Sequence, residues 1–98
     1  MLIVKVLFFT SLREITGIKE KIVELASMDE MTIDTVLEVL KNRYGKSFVE
    51  YIYDSKTNNV RGFLQFLVNG KHIPSPNVLM TKLNDGDVLA ILPPVGGG

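Results

Sequence analysis

Residues 2–10, Leu-Ile-Val-Lys-Val-Leu-Phe-Phe-Thr, are rich in β-branched and aromatic residues and contain no Gly or Pro, which reads as a strand. Alternation puts Val4, Val6 and Phe8 on one face and Lys5, Leu7 and Phe9 on the other. Lys5 marks the second face as the wetter one. Leu7 and Phe9 are then apolar where water is expected, which fits either cover by a neighbouring loop or a partner-binding patch. Ser11–Gly17 reads as a loop closing a hairpin at Gly17, with Arg13 and Glu14 as a solvated pair, and residues 19–26 as the returning strand. Further on, the period lengthens. Ile33, Val36, Leu37, Leu40 and Tyr44 recur at helical spacing and predict an amphipathic helix over 33–44. Thr32 stands at its N-cap and Gly45 at a left-handed C′ position, while Asp34, Glu38 and Lys41 form an ordinary wet face.

Residues 46–53 predict a second short helix or turn carrying Phe48, Tyr51 and Ile52. Asp54–Gly62 is the most polar stretch and reads as a mobile surface loop. Residues 63–69 return to strand alternation, with Leu64, Phe66 and Val68 facing inward. Asn69-Gly70 is the preferred pair for a tight hairpin, because both central residues need positive φ. Lys71-His72-Ile73 returns, Pro74 and Pro76 end the pairing, and Val78–Leu83 leads into the turn Asn84-Asp85-Gly86-Asp87. Residues 88–92 form the last strand, with Leu89 and Ile91 on one face and Val88, Ala90 and Leu92 on the other. A hairpin, a helix laid across a sheet and further strands completing it give an α+β, β-grasp (ubiquitin-like) plan: a mixed sheet packed by one main helix.

Composition narrows the function. With 98 residues, 46% of them hydrophobic, residues 1–98 form a single domain with one core. Eleven basic residues balance eleven acidic ones, so no field favours nucleic acid or an anionic membrane, and neither is expected as a partner. There is no cysteine, which excludes disulfides, thiolate metal sites and a thiol nucleophile together. His72 is the sole histidine, and without a companion ligand or triad pattern it reads as a solvated residue; no metal site is expected. No uncharged apolar run approaches membrane-spanning length, and the expected location is the cytoplasm.

The chain ends Leu92-Pro93-Pro94-Val95-Gly96-Gly97-Gly98, and 93–98 is expected to be a flexible C-terminal tail. Two prolines fix φ and withdraw two backbone donors; three glycines then carry no side chain at all. A stiff segment followed by a slim one suits a free carboxylate passing down a narrow channel in another protein. Extended, the part beyond Pro94 reaches about 13–14 Å. A frayed end or a linker is the plain alternative.

Taken together, several segments resemble one known family. Val6–Glu14 at the start, Val68-Asn69-Gly70, and Asn84-Asp85-Gly86-Asp87 running on to Pro93-Pro94-Val95 and the glycines are similar to molybdopterin synthase small subunits. These are ubiquitin-like sulfur carriers of β-grasp fold, and the resemblance spans nearly the whole chain. It implies that the Gly98 carboxylate, with Gly97 before it, is adenylated with ATP by a separate E1-like adenylyltransferase. Sulfur then displaces AMP to leave a thiocarboxylate, and the tail delivers that sulfur inside the large synthase subunit for molybdenum cofactor biosynthesis. It further implies docking through Phe9, Leu92, Pro93, Pro94, Val95 and Gly96, with a third apolar contact near the position His72 occupies. The chain itself would bind no cofactor and would be a non-catalytic carrier subunit. A carrier for tRNA thiolation or thiamine synthesis, or a ubiquitin-like modifier joined to lysines through Gly98, stays open on the same residues.

Overall fold

The computed structural model describes residues 2–26, 30–74 and 77–93. Strand β1, Leu2–Phe8, has the expected alternation: Val4, Val6 and Phe8 are fully buried, whereas Ile3 and Lys5 are exposed. It pairs antiparallel with β2, Glu20–Leu25, from Leu2 opposite Leu25 to Leu7 opposite Glu20. The connection corrects the expected loop. Ser11–Thr16 is a short helix, α1, anchored by the buried Leu12 and ended by Gly17 at φ 79°. The Gly17 N–H donates to the Arg13 carbonyl at 2.7 Å, a left-handed stop that glycine adopts without strain. Arg13 does not pair with Glu14 among the described residues. Its Nε donates to the Phe8 carbonyl at 3.0 Å, and its guanidinium lies 5.5 Å from the Phe9 ring centroid.

Helix α2, Ile33–Tyr44, starts where expected. The Thr35 N–H donates to Thr32 Oγ1 at 3.2 Å, and the Thr32 N–H donates to Thr35 Oγ1 at 3.3 Å, so two end donors are satisfied reciprocally. Ile33, Val36, Leu37 and Leu40 are buried in the same core as the inward side chains of the sheet, and Tyr44 packs edge-on to Phe8 at 6.1 Å. Helix α3, Lys46–Ile52, buries Phe48 and Ile52. Gly45 joins the two helices, with φ at 77° as expected but ψ at −149°. That ψ is extended, so the residue is outside the left-handed helical region and re-aims the chain instead. An added Cβ there would meet nothing within 4 Å, which leaves backbone strain as the sole cost of a side chain. Gly45→Ala is therefore expected to lower stability by about 1–3 kcal/mol, read as a reduced urea midpoint at unchanged slope. An unchanged midpoint would contradict this.

Strands β3, Gln65–Val68, and β4, Lys71–Ile73, form the hairpin, with Asn69 and Gly70 at φ 51° and 84°. Phe63, expected at the head of β3, instead lies in the preceding turn and is 47% exposed. A 3₁₀ turn at Val78–Met80 leads through the Asp-Gly-Asp turn to β5, Val88–Leu92. The sheet order is β2-β1-β5-β3-β4, with β5 parallel to β1 and the other pairings antiparallel. This mixed sheet carrying its helices on one side is the β-grasp arrangement.

The polar turns serve as joints. Asp85 Oδ1 accepts from the Ile3 N–H at 2.8 Å. The Asn69 side chain donates to Asp87 Oδ1 and accepts from the Val88 N–H, both at 2.9 Å, which ties the hairpin turn to the start of β5. Asp54–Gly62 lies at the surface as expected, but it is closed by hydrogen bonds. The Asp54 N–H donates to the Asn59 carbonyl at 2.9 Å, and the Asn58 N–H donates to the Asp54 carbonyl at 2.8 Å.

Tyr53 holds one unsatisfied group. Its hydroxyl is buried without a hydrogen-bond partner among the described residues. Burial foremost, then the Asp34 and Glu38 carboxylates, push the phenol up to about 12 from 10.0. The folded state therefore holds this proton more tightly than the unfolded one. Stability linked to it is whole below pH 10 and is lost as pH rises toward 12. Tyr53→Phe removes the stranded donor and is expected to leave stability equal or higher by about 1 kcal/mol at neutral pH. It is also expected to shrink the loss between pH 10 and 12, as measured by urea unfolding at both ends of that window. A variant less stable than the parent at neutral pH would show that the hydroxyl has a partner in solution.

Candidate functional site

The registers place one row of residues across the sheet face opposite the helices. Leu7 lies beside Ala90, Ala90 beside Leu67, and Leu67 beside His72. Leu7, Ala90 and Leu67 are half-buried, shielded by one another and by their neighbours on the sheet; His72 is exposed. The next row joins Ile22, Lys5 and Val88, with Ile22 46% exposed. Lys5 Nζ is 3.4 Å from Glu20 Oε2, so the charge bordering this face is paired. The apolar strip Leu7–Ala90–Leu67 runs over three strands, which is more than singly scattered surface residues.

Phe9 and Leu92 belong to the same face. Phe8 pairs with Ile91 in parallel register, so Phe9 and Leu92 follow on neighbouring strands, and both are half-buried. The structure therefore brings together the two residues marked by alternation, at the end of the sheet from which the C-terminal segment departs. Pro93, half-buried, is the last described residue. Pro94, Val95, Gly96, Gly97 and Gly98, all expected site residues, lie outside the described residues. His72 ends the row as an exposed residue opposite Leu67, a polar terminus to an apolar strip.

Alternation along β5 leaves the face of Ala90 unassigned, and Leu67 is a site residue that the sequence analysis does not name. Its signal was present, since alternation that turns Phe66 inward turns Leu67 outward. What alternation along one strand could not give was the register that sets Leu67 beside Ala90.

Chemically, this surface offers apolar contact and little else. Among the described residues no group of three or more His, Cys, Asp or Glu side chains is placed to hold a metal ion, and no helix is long and apolar enough to cross a membrane.

Comparison with known proteins agrees with this geometry. The chain matches the ThiS family over residues 6–98. It is 31% identical over 91 residues to small archaeal modifier protein 3 of Haloferax volcanii, covering 93% of this chain and 94% of that protein. It is 28% identical over 95 residues to a molybdopterin synthase sulfur carrier subunit of Anopheles gambiae, covering 97% of this chain and 91% of that one. The solution structure of small archaeal modifier protein 1 from Methanosarcina acetivorans superposes with a TM-score of 0.74 at 34% identity, covering 100% of this chain and 98% of that chain. The chain thus belongs to the ThiS family and is a ubiquitin-like sulfur carrier of β-grasp fold.

Proposed function

We propose that this protein is the small subunit of a molybdopterin synthase, carrying sulfur as a thiocarboxylate on Gly98. The observation that carries the reading is the apolar strip Leu7–Ala90–Leu67 together with Phe9 and Leu92, where the chain leaves the sheet toward its glycines. A partner seated on that strip lies beside Pro93, the last described residue before the glycines.

The chemistry suits the residue types. A carboxylate resists nucleophiles until one oxygen belongs to a good leaving group. A Gly98 carboxylate oxygen attacks the α-phosphate of ATP on the E1-like adenylyltransferase, and pyrophosphate leaves. The outer sulfur of a persulfide donor then attacks the carbonyl carbon and AMP leaves with the bridging oxygen; a second thiol attacks the donor's inner sulfur, so that the donor leaves as a disulfide and the thiocarboxylate stays on Gly98. Glycine at positions 97 and 98 keeps both approaches clear. The chain has no cysteine, so no internal thiol competes for the acyl-adenylate and the sulfur comes from elsewhere. In this reading the protein works in the cytoplasm, binds no cofactor and contributes no catalytic side chain. The large synthase subunit accepts the sulfur.

Identity to a small archaeal modifier protein favours a second reading, in which Gly98 is joined to lysines of other proteins. Delivery of sulfur to tRNA or to thiamine synthesis is a third outcome of the same activated tail. Affinity capture from the native source separates them. The first reading expects one stoichiometric large subunit, and the second expects a ladder of lysine conjugates that Gly98 removal erases. Recovery of conjugates without a large subunit would overturn the first.

A further inference from the structure

A second concave surface lies at the opposite edge of the sheet, between the 60–64 turn and β4. Its volume is about 470 Å³, within the range of ligand-sized clefts. Leu64, Phe66 and Val78 are buried and supply an apolar floor. At the rim the Phe63 ring is 47% exposed, and Tyr51 stands edge-on to it at 6.5 Å. Arg61 lines the cleft, His72 borders it at the β4 edge with its ring on the other face of the sheet beside Leu67, and no carboxylate lines it among the described residues. Arg61 Nε and Nη2 both donate to the Glu50 carbonyl, at 3.1 and 3.0 Å, which fixes the guanidinium while its remaining nitrogen has no partner among the described residues. The Glu50 carboxylate is engaged by Lys46 at 3.7 Å.

β4 stands last in the sheet, and no strand lies beyond it among the described residues. The two-residue turn makes Val68 and Lys71 a hydrogen-bonded pair, so the His72 backbone N–H and C=O point away from β3. Pro74 stops the edge two residues later.

We propose that this cleft is a second docking site. It takes a short extended segment of a partner protein in which an apolar side chain adjoins a carboxylate. The apolar side chain sits on the Leu64–Phe66 floor against Phe63, and the carboxylate meets Arg61. The segment's backbone pairs with His72 alone, so the edge adds little and affinity rests on the cleft. Charge selects this occupant, since a cleft lined by the Arg61 guanidinium and, among the described residues, by no acidic side chain disfavours a cationic segment.

The test is selection of phage-displayed random dodecapeptides on the whole chain, followed by titration of the best synthetic peptide into ¹⁵N-labelled protein. The expected peptides carry Asp or Glu next to an aromatic or aliphatic residue. Their amide shifts centre on Arg61–Phe66 and His72–Ile73. Phe63→Ser and Arg61→Gln, each keeping a folded spectrum, weaken binding at least about tenfold. The proposal is overturned by no binders, by binders without acidic enrichment, or by shifts centred on Leu7, Ala90 and Leu67. The titration involves no activation of Gly98. Its failure leaves the carrier reading standing, and failure of that reading leaves this site untouched.

Discussion

Removing Gly98 is expected to lower adenylate formation by about a hundredfold or more while the melting temperature stays within about 2 °C. The deletion does not abolish a carboxylate. It draws the carboxylate back by one residue, about 3.3–3.6 Å of extended chain. Reaction needs the carboxylate oxygen within about 3–3.5 Å of the α-phosphorus, and a displacement of that size takes it out of range. Stability is expected to be spared because the buried core of the described residues runs from Val4 to Ile91 and a glycine has no side chain to add to it. ATP–pyrophosphate exchange with the E1-like enzyme and thermal unfolding measure the two halves. Normal exchange would show that arm length is not critical. A large fall in melting temperature would show that the tail belongs to the fold.

Ala90→Arg is expected to weaken binding of the large subunit by about a hundredfold or more, with less than about 1 kcal/mol lost in stability. Ala90 sits between Leu7 and Leu67 on the face away from the core. In the free protein an arginine stem can lie along these neighbours with its head in water. In the complex the same guanidinium would be buried without a partner, at a cost of about 2–5 kcal/mol. Phe9→Lys, at the end of the strip, is expected to act in the same direction more weakly and to lose the contact with Arg13. Titration calorimetry against the purified large subunit, beside urea unfolding of each variant, distinguishes binding from folding. Full affinity in Ala90→Arg would remove the strip from the interface.

Features set by local chemistry were legible in the residues. Helix α2 followed from its apolar spacing and the Thr32 cap, and the β3–β4 turn from Asn69-Gly70, because each depends on a few adjacent side chains and on φ. Helix α1 was hidden because six residues with a single buried anchor, Leu12, carry too little periodicity to stand out from a loop. Phe63 continued the apolar run of β3, yet Gly62 and Phe63 form a turn, with the Leu64 N–H donating to the Arg61 carbonyl at 3.1 Å. Arg13 looked like half of a solvated pair, since nothing near it in sequence announces that it will lie over Phe9. The apolar strip shows the same limit at larger scale. Alternation put Phe9 and Leu92 on outward faces, but their adjacency follows from the parallel pairing of β1 with β5.

The most direct measurement is the intact mass of the chain after incubation with ATP, the E1-like enzyme and a sulfur donor. The account predicts a species in which sulfur replaces one oxygen, located on Gly98 by fragmentation and absent when ATP is withheld. Protein of unaltered mass, under conditions in which that enzyme charges another carrier of the family, would contradict it.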